Sequence, residues 1–168
     1  MSAPNIQTVD LTQFRESPSL TSDVRFIFKD QATGQVQELP AHKFVLAVGS
    51  EVFMAQFYGT LKENIDAIPI EDSSHSAFKL LLDILYNKKF SVKGVELKLM
   101  AELCYLTDKY LMVKVQDILV EEISSRKIDS ENLLEVAKVA EEHLHMEKFS
   151  SSLYMTCVQF VKENMESS

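Results

Sequence analysis

The sequence predicts an α+β domain in which a small β-sheet precedes a majority of helix. Three observations lead there. Residues 22–39 alternate apolar and polar side chains with the two-residue period of a strand pair. A short apolar strand, Ala67-Ile68-Pro69-Ile70, follows after two helical segments. Beyond Gly94 the apolar positions recur every three or four residues almost to the end of the chain.

Taken in order, residues 1–21 are polar and broken by Pro4 and Pro18, with room for one short helix over Asp10–Glu16 carrying Val9, Leu11 and Phe14 on a face. Ser22–Lys29 reads as a strand with Val24, Phe26 and Phe28 on one side and Arg25, Ile27 and Lys29 on the other. Gln31-Ala32-Thr33-Gly34 supplies a turn, Gln35–Leu39 returns, and Pro40 is expected to end the strand. A helix is expected from Ala41, with Phe44, Val45, Leu46 and Val48 as its apolar residues and Gly49 interrupting it. Ser50 is the expected N-cap of a second helix, Glu51–Tyr58, closed by Gly59. Pro69 inside the Ala67–Ile70 strand argues for an edge position or a break in the ladder.

Phe78, Leu81, Leu82 and Leu85 mark the buried face of the next helix, which ends near Tyr86. Helices over Val95–Tyr110 and Leu111–Ile123 follow, the second with Val115, Ile118, Leu119 and Ile123 on its face. Ile128-Asp129-Ser130 reads as a hydrophobic staple and cap before Leu133, Leu134, Val136, Ala137 and Ala140. A last helix over Met146–Asn164 has Phe149, Leu153, Phe160 and Val161 on one side.

Composition narrows the function. Of 168 residues, 46% are hydrophobic and 25% charged, the balance of a globular domain. At this length a fold buries about 70% of its unfolded surface without needing disulfides or metal. The net charge of −8 repels nucleic-acid phosphates, so direct DNA or RNA binding is not expected. No apolar run reaches membrane-spanning length and no signal peptide is readable, so no membrane contact is expected. Cys104 and Cys157 lie in amphipathic helical patterns and read as reduced core thiols of a cytoplasmic or nuclear protein. The glycines, Gly34, Gly49, Gly59 and Gly94, are too scattered for a phosphate-cradling loop. His143 and His145, two residues apart, point to opposite sides of a helix and make a poor metal pair. Neither an enzyme nor a bound cofactor is expected.

Several segments carry a family resemblance. Ser22-Asp23-Val24-Arg25-Phe26, then Pro40-Ala41-His42-Lys43-Phe44-Val45-Leu46-Ala47, then Ser50-Glu51-Val52-Phe53 succeed one another at set intervals. Phe57-Tyr58-Gly59, Ile68-Pro69-Ile70-Glu71-Asp72 and Ala77-Phe78…Leu81-Leu82…Leu85-Tyr86 continue the order. Together they resemble a BTB/POZ domain over about residues 20–125, most like the BTB-BACK and kelch-like adaptors. The tail from Ile128 resembles the helical region that follows the BTB domain in many cullin-3 adaptors. The implied organisation is an N-terminal extension over 1–21, a BTB/POZ domain over 22–125 and a helical, BACK-like extension over 126–168.

The resemblance implies a small sheet capped by helices and a protein-interaction role. It implies a homodimer whose interface draws on Leu11, Phe14, Asp23, His42, Lys43, Phe44, Ala47 and Val48, with the extension able to swap onto the partner. Asp23, His42 and Lys43 are expected near one another at that interface. It also implies a cullin-3 contact through Phe57, Tyr58, Leu61, Glu63 and Tyr110, where Leu61-Lys62-Glu63 matches the family's pattern of an apolar residue, any residue and a glutamate. The expected function is a substrate adaptor of a cullin-3 ubiquitin ligase, with the substrate itself undetermined. The alternative is a transcriptional or scaffold module that binds a co-regulator peptide between subunits.

Overall fold

A computed structural model describes residues 11, 14–15, 21–30, 33–60, 62, 65–86, 93–125, 128–130, 133–142 and 147–165. It is an α+β structure. Among the described residues a three-stranded sheet runs in the order β2-β1-β3, with β1 Val24–Lys29, β2 Val36–Ala41 and β3 Ala67–Ile70. In β1 the predicted alternation holds: Val24, Phe26 and Phe28 are buried while Arg25 and Lys29 are exposed. β2 runs antiparallel to β1, pairing Phe26 with Leu39 and Val24 with Ala41, and β3 runs parallel on the other side. The hairpin is closed by Asp30, whose carbonyl accepts the Gly34 N–H at 2.8 Å and whose carboxylate accepts the Thr33 N–H at 2.9 Å. Gly34 adopts φ 71°, a left-handed conformation that glycine takes at no steric cost.

Pro40 does not end its strand, which continues to Ala41. Pro40 lies opposite Arg25, and the Arg25 N–H donates to Asp66 O at 2.8 Å, on the β3 side. That pair therefore makes no ladder bond, and the proline nitrogen faces the open edge of β2, where no donor is needed. Pro69 lies in the opposite edge strand, the first of the two positions its sequence context allows.

Seven helices follow among the described residues: α1 Lys43–Gly49, α2 Glu51–Tyr58, α3 His75–Tyr86, α4 Leu97–Lys109, α5 Val113–Ser125, α6 Leu133–Glu142 and α7 Glu147–Met165. α1 begins two residues later than expected, because Ala41 still belongs to β2 and its carbonyl accepts the Asp23 N–H. The Asp23 carboxylate then accepts the Lys43 N–H at 2.8 Å and supplies the cap that His42 does not. Ser50 caps α2 as predicted, accepting the Phe53 N–H at 3.3 Å. Ser74 caps α3 by accepting the Ala77 N–H at 3.1 Å.

The helices wrap one aromatic core. Phe26 meets Phe78 at 4.5 Å and Phe53 at 6.0 Å between ring centroids, and Phe53 stacks on Tyr110 at 4.2 Å. Leu81, Leu82, Met100, Leu103, Leu106, Leu119 and Ile123 surround them, fully buried. α7 packs on α5 and α6, and α6 on α4, so that Ile128, Val136, Ala140, Leu153 and Cys157 join the same core. Ile118, Leu134 and Val161, expected on buried faces, are instead exposed. Among the described residues no helix is long and apolar enough to cross a membrane.

Candidate functional site

Two surface regions gather the residues singled out from the sequence. The first surrounds His42. Its backbone N–H donates to the Tyr86 hydroxyl at 2.8 Å, its Nδ1 lies 2.7 Å from the same hydroxyl, and its Nε2 lies 2.8 Å from Thr21 Oγ1. Phe14 meets the imidazole edge-on at 5.6 Å, and Arg15 Nε donates to Asp83 Oδ1 at 2.7 Å. Leu11 is half-buried against the core. The described part of the N-terminal segment is thus tied to the start of α1 and the end of α3 of its own chain. Burial raises the Tyr86 phenol to about 12, despite the opposing His42 N–H bond.

Asp23, His42 and Lys43 are neighbours, and their side chains bond to different groups. The Lys43 ammonium pairs with Asp66 at 3.0 Å, while Asp23 is occupied with the α1 cap and His42 with Tyr86 and Thr21. Asp66 is 79% exposed, so this ion pair contributes little to stability. On α1 the residues divide by face. Ala47 is buried, whereas Phe44 and Val48, one turn apart, are 69% and 68% exposed. Two large apolar side chains on one exposed face are what an interface with another protein requires.

The second region lies on α2 and the turn that joins α4 to α5. The 3.6-residue period splits α2 so that Phe53 and Phe57 point inward and Met54 and Tyr58 point outward. Phe57 and Tyr110 are core residues: Phe57 stacks on Phe53 at 5.7 Å, and Tyr110 packs between Phe53 and Phe78. Their rings are unavailable to a partner, because their apolar surface already completes the core. Burial also drives the Tyr110 phenol far above the usual tyrosine range. Leu61 and Glu63 lie outside the described residues, as do His143 and His145.

Met54, Leu111 and Val113 were not singled out from the sequence, yet they stand exposed around a groove of about 580 Å³. Ala47–Glu51 form one wall of this groove and Leu111–Val115 the other. The walls are fastened together by Ser50, whose hydroxyl donates to Tyr110 O at 2.7 Å. The α2 periodicity could have exposed Met54 as the neighbour of Tyr58. Nothing in the sequence marks Leu111, since the turn it occupies is ordinarily announced by glycine.

A third cluster is structural. Asp72 accepts the Tyr105 hydroxyl at 2.5 Å and the Lys109 ammonium at 2.7 Å, tying the entry of α3 to α4. Burial pulls the Asp72 carboxyl upward, but the bonds from Lys109 and Tyr105 outweigh it and hold it below its ordinary value. Among the described residues no three His, Cys, Asp or Glu side chains converge to hold a metal ion.

This small sheet under a helical layer, with its apolar outer faces, agrees with what known proteins display. The profile of the BTB/POZ domain matches residues 11–127. The chain belongs to the BTB/POZ family. The BTB domain is a protein-interaction module. Mouse BTB/POZ domain-containing protein 6 is 44% identical over 75 residues, which make up 45% of this chain and 14% of that protein. Human BTB/POZ domain-containing protein 3 is 48% identical over 67 residues, 40% of this chain and 12% of that protein. The chain thus spans only a small fraction, 12–15%, of the length of the curated relatives it matches. Among solved structures, the BTB domain of zebrafish PATZ1 superimposes with a TM-score of 0.53 at 27% identity, covering 69% of this chain and 86% of that one.

Proposed function

We propose that this BTB domain forms a homodimer and docks on cullin-3 as the non-enzymatic substrate-adaptor part of a ubiquitin ligase, in the cytoplasm or nucleus. The observation that carries the docking is the exposed pair Met54 and Tyr58 on α2, 46% and 52% accessible and directly before the Leu61-Lys62-Glu63 segment. The helices α6 and α7 support the BTB-BACK adaptor type, because they extend the domain's own core beyond residue 127, where the BTB/POZ match ends. The exposed Phe44 and Val48 support the dimer, with Leu11, Phe14, Asp23, His42, Lys43 and Ala47 holding that face in place. The substrate would be held by another part of a longer chain or by a partner.

The dimer is tested by light scattering, which should return twice the 19.1 kDa chain mass at micromolar concentration. A Phe44→Asp/Val48→Asp double variant should return a folded monomer. A wild-type monomer would contradict the interface. Docking is tested with Tyr58→Ala, which should lower affinity for the cullin-3 N-terminal domain about tenfold or more without changing the melting temperature. An exposed tyrosine contributes little to its own fold, so the two readouts separate. Wild-type affinity in that variant would move the contact elsewhere, and a co-regulator peptide would become the stronger reading.

A further inference from the structure

Two prolines stand within strands, and the sheet order β2-β1-β3 puts one on each edge. Along a strand, successive residues turn their backbone N–H and C=O groups to opposite sides. The Asp30 N–H donates to Gln35 O at 2.9 Å, in the register that pairs Phe28 with Gln37 and Phe26 with Leu39. The backbone groups of Gln37, Leu39 and Ala41 therefore point to β1, and those of Val36, Glu38 and Pro40 point to the open side. On the other flank the Arg25 N–H donates to Asp66 O at 2.8 Å. Asp66, Ile68 and Ile70 thus turn their backbone toward β1, and Ala67 and Pro69 turn theirs outward. Each edge carries a proline at a position that would otherwise offer a donor to a further strand. Within β3 this leaves Ala67 as the one outward donor.

We propose that Pro40 and Pro69 seal the sheet against strand addition, so that this domain takes its partners, further copies of itself included, through helical faces. An unpaired edge is a template for another extended chain. β2 is six residues long and Val36 at its start is 56% exposed. Without Pro40 it would present three outward N–H groups beside an apolar side chain. Charge acts in the same direction at β3. Asp66, 79% exposed, and the exposed Glu71 flank that strand, so two copies brought edge to edge set like charges together. Large exposed side chains suited to a contact lie on helices instead, with Phe44 on α1, Met54 and Tyr58 on α2 and Tyr154 on α7. The sealing is independent of which partner those faces take.

The test compares wild type, Pro40→Val, Pro69→Val and the double variant as the full chain, by light scattering, infrared spectroscopy and thermal melting. Masses are read from about 10 to about 100 μM, within the range in which unpaired strand edges associate. Wild type should keep one mass throughout. Each single variant should at least double that mass and gain an infrared band of intermolecular strand pairing. The double variant should grow further, because each chain then has two open edges. Pro69 is exposed, so its replacement keeps the fold, and the β3 edge can be read alone even where Pro40→Val fails to fold. Adding Ala67→Pro to Pro69→Val removes the neighbouring outward donor and should restore the wild-type mass. A folded Pro69→Val or Pro40→Val chain that keeps the wild-type mass overturns the inference. Growth that persists with Ala67→Pro also overturns it, because the cause would then be a loosened fold. So does growth of wild type with the same infrared band.

Discussion

Phe53→Ala should destabilise the domain by about 3–5 kcal/mol, a large part of the total stability of a domain this size. Phe53 is fully buried and is the ring on which the others converge, meeting Phe26 at 6.0 Å, Phe57 at 5.7 Å and Tyr110 at 4.2 Å. Truncation leaves a cavity that the strand on one side and the α4 terminus on the other hold open, so little of the loss is recovered by collapse. It also frees the Tyr110 turn from one of its two anchors. Urea unfolding should show the midpoint falling with little change in slope. A loss below about 1 kcal/mol would mean that the aromatic cluster is not the centre of the core. Phe57→Ala and Tyr110→Ala act through the same cluster, so their effect on any partner should follow loss of fold.

Stability should also fall steeply on the alkaline side. Burial raises the Cys104 thiol from its ordinary value of 9.0 to about 12, and the Tyr86 phenol from 10.0 to about 12. The unfolded chain releases these protons at about pH 9–10, while the folded chain keeps them to about 12. The stabilisation is therefore fully present below pH 9 and is lost progressively as pH rises to about 12. Each shifted unit is worth about 1.4 kcal/mol, so Cys104, the more deeply buried of the two, carries most of the loss. Melting temperature followed from pH 7 to about pH 11.5 should drop accordingly, and Cys104→Ala should flatten the slope. An unchanged melting temperature across that range would contradict the burial of Cys104. At pH 7 the same burial should make the thiol slow toward alkylating reagents.

Local signals made much of this fold legible. The period-two alternation of β1, the Ser50 cap and the apolar face of α3 each depend on neighbours in sequence, and each is found where the residues put it. Misreadings arise where a distant partner decides. Pro40 is tolerated because Arg25 turns its N–H toward Asp66, a residue 41 positions away that no pattern links to it. α4 and α5 are displaced from the expected boundaries by the Leu111 turn, which has no glycine to announce it. At the candidate site, Phe57 and Tyr58 are adjacent in sequence, but a helix turns neighbours about 100° apart, and only Tyr58 faces outward. Tyr110 is buried, and the exposed residue beside it is Leu111.

Calorimetric titration of the purified chain with the cullin-3 N-terminal domain tests the adaptor role most directly. Saturable binding with a Kd of about 1 μM or tighter and one cullin per protomer of a dimer is expected. Absence of binding at about 100 μM, with the protein folded and dimeric, would contradict it.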